Sequence, residues 1–78
     1  MMETIRLTTC DTIQQAYMLR DILMDEGIYC ILTNEANAML YPGVGFANPE
    51  IWVEEKDYDK ALYIYQKLVN GQTQVEEE

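Results

Sequence analysis

A chain of 78 residues has room for one domain, and an apolar content of 49% excludes wholesale disorder. Its 14 acidic residues outnumber five basic ones, and the net charge of −9 argues against nucleic acids and anionic membranes as partners, because both require cations. No apolar run is long enough to span a membrane and the N-terminal MMETIR has no signal-like apolar region, so we expect a cytoplasmic location.

The first two predicted elements are a strand over residues 4–9 and a helix over residues 11–26. The helix is indicated by apolar residues at steps of three and four, namely Ile13, Ala16, Leu19, Ile22 and Leu23. Asp11 is the candidate N-cap, and Gln14 completes a capping-box pattern with it. Gly27 is the predicted stop, because helix ends often need a left-handed residue.

Two further strands and a second long helix follow. Strands are predicted over residues 28–33 and 50–54, which are rich in β-branched and aromatic side chains. The last helix follows the third strand and is predicted to end at Gly71. Residues 72–78 are polar and acidic, so we expect a disordered tail after a folded domain that covers residues 1–71.

The element order β-α-β-β-α indicates an α+β fold. Each helix has one apolar stripe, and each stripe must cover a sheet. Placing both helices on one face gives a three-stranded antiparallel sheet with the third strand between the first two. The sequence therefore predicts a truncated ferredoxin-like fold with two helices on one face of the sheet.

The opposite face of this sheet is the first candidate site. If the alternating pattern turns Ile51 and Val53 toward the helices, four residues face outward: Arg6, Tyr29, Ile31 and Trp52. A large exposed apolar patch usually marks an interface, so we expect a homo-oligomer, with a dimer favoured. The alternative is that the tail or a loop folds over this face.

The connection over residues 34–48 is the second candidate site, because long irregular loops are often functional. Its candidate binding residues for a small polar ligand are Asn34, Glu35, Asn37, Gly43, Gly45 and Asn48. The alternative is that the asparagines and glycines serve turns. The sequence identifies neither this ligand nor a protein partner.

No catalytic set is visible in the sequence. The chain has no histidine and no serine, and the spacing of its two cysteines matches no zinc or redox motif, so we expect no catalytic residues, metal or cofactor. Cys30 is predicted to be a buried hydrophobe. An alternative function is a small enzyme or thiol-based redox sensor that uses Cys10, exposed near a helix N-terminus where the pKa of a thiol can fall.

Five short patterns carry a resemblance to a known family. They are Thr8-Thr9 at the end of the first strand, Ala16, Leu19 and Leu23 on the first helix, Gly27-Ile28, Asn34-Glu35, and Val53, Asp57 and Ala61. Over residues 5–68 the chain resembles a small prokaryotic domain family of unknown function described as “putative signal-transducing proteins”, whose fold is similar to the nitrogen-regulatory PII proteins. The resemblance implies a ferredoxin-like fold, a bacterial source and a non-catalytic regulatory or binding role.

Overall fold

The three strands form one antiparallel sheet with the last strand in the centre. The computed structural model describes residues 3–73, and their side chains to residue 70. The strands are β1 (Thr4–Thr9), β2 (Cys30–Thr33) and β3 (Glu50–Glu54), in the order β1-β3-β2. Both β1 and β2 pair antiparallel with β3, as the predicted topology requires.

Two long helices and one short helix accompany the sheet: α1 (Ile13–Asp25), α2 (Glu35–Leu40) and α3 (Tyr58–Thr73). The helices α1 and α3 share one apolar core with the sheet, which consists of Leu7, Cys10, Ala16, Leu19, Leu23, Ile28, Cys30, Ile51, Val53 and Ala61. Because both helices contribute to this cluster, they cover the same face of the sheet. The predicted α+β, ferredoxin-like arrangement is confirmed.

The N-terminal cap of α1 lies one residue later than predicted. Thr12 is the cap, and its Oγ1 accepts a hydrogen bond from the Gln15 amide at 3.1 Å. The Gln15 side chain in turn accepts from the Asp11 amide at 3.1 Å. The Cys10 amide donates to the Pro49 carbonyl at 2.8 Å, which holds the chain beside the sheet and delays the helix start.

The C-terminal end of α1 has the predicted glycine in a left-handed conformation. Gly27 has φ = 82°, its amide donates to the Met24 carbonyl, and the Ile28 amide donates to the Leu23 carbonyl, both at 3.0 Å. These two bonds form a Schellman motif. Because the motif uses the Ile28 amide, the strand begins at Cys30 and not at residue 28 as predicted.

The prediction that Gly71 stops the last helix is wrong, because α3 continues through it to Thr73. A glycine inside a helix costs only about 1 kcal/mol, which the surrounding helical turns can offset. Residues 72 and 73 thus belong to α3, and residues 74–78 of the predicted tail lie outside the described residues. No helix within residues 3–73 is long and apolar enough to cross a membrane.

A β-bulge in β1 departs from the strict alternation assumed from the sequence. The pairing with β3 shifts register between Arg6 and Thr8, so Leu7 is the extra residue. Leu7 is buried in the core, and the neighbouring Thr8 hydroxyl also reaches the helix side, where it donates to the Tyr65 hydroxyl at 3.1 Å. Ile5, nearer the strand start, is 37% exposed.

Candidate functional site

The sheet face opposite α1 and α3 carries a row of side chains across its three strands. Arg6 of β1 and Ile31 of β2 are both cross-strand partners of Trp52 on the central strand. Tyr29 immediately precedes β2 and is 52% exposed. The structure therefore places Arg6, Ile31 and Trp52 on the side of the sheet that the two long helices leave open, with the exposed Tyr29 next to β2. We call this surface the open face.

Trp52 is held in place by polar neighbours on the same face. Its indole Nε1 donates to Thr33 Oγ1 at 3.1 Å and to Glu50 Oε1 at 3.3 Å. Glu50 also accepts from Thr33 Oγ1 at 3.2 Å and from Arg6 Nη1 at 3.3 Å. The polar edge of the indole is therefore satisfied inside the protein, and the Trp52 side chain is half-buried on this face.

The predicted interface residues did not include Thr33 or Glu50, although the alternation in the sequence places both on this face. Each lies two residues from a predicted interface residue, Thr33 from Ile31 and Glu50 from Trp52. Side chains two apart along a strand share a face. The same alternation that indicated Trp52 could therefore have found both polar partners.

One end of β3 carries an ion pair with a largely covered carboxylate. Glu54 is 7% exposed, and its Oε1 lies 3.4 Å from Lys56 Nζ. Hydrogen bonding to Glu54 and the nearby Asp57 carboxylate raise the pKa of Lys56 above its ordinary value. Lys56 therefore favours its protonated form, which lies beside the Glu54 carboxylate.

The asparagines of the 34–48 connection bind the connection itself. Asn34 has a left-handed backbone with φ = 64°, and its Nδ2 donates to the carbonyls of Phe46 and Asn48, each at 2.9 Å. Asn37 Nδ2 donates to Asn34 Oδ1 at 2.8 Å. Of the predicted ligand-binding residues, the structure thus brings together Asn34, Asn37 and the backbone of Asn48. Their polar atoms fix the path of the loop.

The other predicted loop residues take no part in this hydrogen-bonded cluster. Glu35 accepts a hydrogen bond from the Tyr17 hydroxyl, which ties α2 to α1 and raises the pKa of Tyr17. Position 43 favours glycine, because its backbone is left-handed with φ = 85°. Gly45 opens a 3₁₀ turn that ends at Ala47. That a small polar ligand binds this loop remains a prediction.

The two cysteines are buried and lack the features of reactive thiols. Burial raises the pKa of the Cys10 thiol, and the negative charge of Asp11 raises it further. Cys10 is only 7% exposed, so the alternative of an exposed thiol with a lowered pKa is wrong. Cys30 is buried as predicted, and desolvation raises its pKa to about 11. Among the described residues no cluster of three potential metal ligands occurs.

Comparisons with known proteins place the chain in a family without adding a chemical activity. Searches against curated proteins and against solved structures found no match. The sequence profile of a family described as “Putative prokaryotic signal transducing protein” matches residues 5–68. This match covers β1 from residue 5, all of α1, β2, α2 and β3, and α3 as far as residue 68. The chain belongs to this family.

Proposed function

We propose that the protein is a non-catalytic, cytoplasmic regulatory module of signal transduction that forms a dimer through its open face. The family description supports a role in signalling. The observation that carries the mode of association is the oriented Trp52 ring at the centre of a sheet face that α1 and α3 leave open. No polar constellation suited to catalysis accompanies it among the described side chains.

The composition of the open face favours a protein contact over a small ligand. Tryptophan, tyrosine and arginine are the residues that most often dominate binding energy at interfaces, and Trp52, Tyr29 and Arg6 are all present here. The helices α1 and α3 pack on the other side of the sheet and do not cover this face. A chain of this size buries a modest fraction of its surface, so covering the face with a second copy would also stabilise the fold.

The charges of the open face are compatible with a copy of the same chain. Arg6 and Glu50 lie 3.3 Å apart and compensate each other on one protomer. Two copies can therefore meet without burying an unpaired charge at the centre of the contact. The net charge of −9 opposes association at long range, and added salt weakens that repulsion.

Sedimentation velocity tests this function. We expect the wild type to form a dimer at micromolar concentration and Trp52→Glu to be monomeric, because the substitution puts a charge in the centre of the interface. Tyr63→Glu is the matched control, since it makes the same change of charge at an exposed aromatic residue of α3. A wild-type monomer at high micromolar concentration, or a dimer that survives Trp52→Glu, would contradict the proposal.

A further inference from the structure

The connection between β2 and β3 buries its small residues and exposes its large ones. Ala38, Ala47 and Pro49 are buried against the rest of the protein. Five large apolar side chains within eight positions are instead exposed: Met39 (56%), Leu40 (69%), Tyr41 (51%), Val44 (40%) and Phe46 (69%). We call these five residues the loop tip. Such a concentration of exposed apolar surface usually marks a binding site.

Hydrogen bonds within the loop fix the backbone that carries the loop tip. The Asn34 side chain holds the carbonyls of Phe46 and Asn48. Backbone bonds of 2.8 Å, from Tyr41 to the Asn37 carbonyl and from Ala47 to the Val44 carbonyl, close the turns on both sides. The rings of Tyr41 and Phe46 lie 5.8 Å apart between centroids. The large side chains are therefore presented to solvent by a loop whose backbone is fixed by internal hydrogen bonds.

A cleft lies between this connection and the start of α1. Its volume is about 330 Å³, and its walls include Ile13, Met39 and Pro42. Among the residues that the structure describes, Asp11 is the only charged one that lines it. Among residues 3–70, no hydrogen bond or ion pair engages the Asp11 carboxylate. The cleft thus combines apolar walls with one uncompensated negative charge.

This combination favours a cation with an apolar stem. Residues 36–49 carry no charge, and residues 21–55 include several acids but no lysine or arginine. An anion is disfavoured, because the Asp11 carboxylate in the lining would repel it, and two amides at the start of α1, those of Asp11 and Gln15, already have acceptors. Lysine and arginine bury their methylene stems along apolar surface while the charged end stays at a polar edge.

The charges of this chain favour another protein as the source of the cation. All five basic side chains of the chain are engaged internally: Arg6 with Glu50, Arg20 with Asp21, Lys56 with Glu54, Lys60 with the Glu26 carbonyl, and Lys67 over the Tyr63 ring. A second copy would also bring a further net charge of −9. A basic partner meets neither obstacle.

We propose that the loop tip and the adjacent cleft dock a basic, apolar-anchored segment of a partner protein. Its apolar side chains seat on Met39, Tyr41 and Phe46. A lysine or arginine of the segment places its stem in the cleft and its charge beside Asp11. This surface is distinct from the open face, so partner docking does not require the proposed dimer.

A fluorescence anisotropy titration tests the docking site. The probe is a labelled amphipathic peptide of leucine and lysine, and its counterpart has glutamate in place of lysine. The protein variants are Phe46→Ser and Met39→Ser, which leave the net charge unchanged, and Asp11→Asn, which removes the cleft charge. Tyr63→Ser is the control, because it removes an equally exposed aromatic residue from α3.

We expect the lysine peptide to bind wild type, and Phe46→Ser and Met39→Ser each to weaken binding by about tenfold, as the loss of an interface anchor does. Asp11→Asn should weaken binding and reduce its salt dependence, and Tyr63→Ser should bind as wild type.

Absence of binding to wild type, equal binding of the glutamate peptide, or unchanged binding by Phe46→Ser and Met39→Ser would overturn the proposal. So would self-association lost in Phe46→Ser and retained in Trp52→Glu, since the occupant would then be a second copy. Binding of the lysine peptide by Trp52→Glu separates this site from the open face.

Discussion

Cys10 lies in the connection between β1 and α1. It lines a cleft of about 290 Å³ whose lining also includes Met18 and Tyr65. Its position near a helix N-terminus would favour the thiolate, but burial acts in the opposite direction. The neighbouring Asp11 carboxylate adds to the effect of burial and raises the pKa of the thiol. In this environment the thiol is a core side chain, which weakens the case for a redox sensor or a nucleophilic enzyme.

We predict that Cys10 reacts slowly with iodoacetamide at neutral pH, because the thiolate is the reacting form and both burial and Asp11 disfavour it. A Cys30→Ala background isolates the rate for Cys10, and the same protein in denaturant supplies the unprotected rate. Mass spectrometry over time measures both. Reaction of the folded protein as fast as a free thiol would revive the sensor hypothesis.

Cys30 makes the free energy of unfolding fall as the pH becomes alkaline. Its thiol donates to the Ile28 carbonyl at 3.6 Å, and burial raises its pKa from 9.0 to about 11. The group therefore contributes stability that is fully present below pH 9 and is lost as the pH rises through 11. We predict that the free energy of unfolding falls by about 2 kcal/mol across this interval on account of Cys30.

Urea unfolding at a series of pH values measures this term. The raised pKa values of Cys10, Tyr17 and Lys56 act in the same direction, so Cys30→Ala should reduce the alkaline loss without abolishing it. An identical pH dependence in wild type and Cys30→Ala would show that the Cys30 thiol has the same pKa in the folded and unfolded chain.

At the scale of the element, α1 organises the core. Leu23 is fully buried and Leu19 is 3% exposed, as the spacing of apolar residues in the sequence predicts. Leu23 also supplies the carbonyl that closes the Schellman motif with Ile28. The last turn of α1 therefore both packs in the core and forms the hydrogen bond that ends the helix.

We predict that Leu19→Ala and Leu23→Ala each lower the free energy of unfolding by about 2 to 4 kcal/mol, because each leaves a cavity in the core. Met18→Ala and Met24→Ala are the controls on the same helix, since their side chains are nearly half exposed and should cost far less. Urea midpoints compare the four variants. Equal effects of the buried and exposed substitutions would mean that the helix face has been misassigned.

The elements that could be predicted are those whose signals are local. Gly27 ends α1 because only its own backbone conformation is needed, and Asn34 leaves β2 in the left-handed region for the same reason. The bulge at Leu7 could not be predicted, because it depends on the register between β1 and β3. The choice of Thr12 over Asp11 as N-cap likewise depends on the distant Pro49 carbonyl that holds the preceding residue.

The same distinction applies to the candidate sites at the scale of the whole molecule. The position of Trp52 on the open face follows from alternation within β3, so the sequence predicts it. The exposure of Phe46 at the loop tip does not, because a large apolar residue in an irregular segment is ordinarily assigned to the core. Only the tertiary structure shows that Ala38 and Ala47 fill the buried positions of that loop.

Dimerisation through the open face would link stability to concentration. A folded dimer in equilibrium with unfolded monomers becomes more stable as the protein concentration rises, by mass action. We therefore predict that the thermal midpoint of wild type increases over about a hundredfold range of concentration and increases further with salt, which screens the charge of −9 on each chain. Trp52→Glu should unfold at a midpoint independent of concentration, whereas Tyr63→Glu should behave as wild type. Circular dichroism melts at matched ionic strength make the comparison. If the wild-type midpoint does not move with concentration, association does not stabilise the folded chain over this range, and the proposed dimer is contradicted.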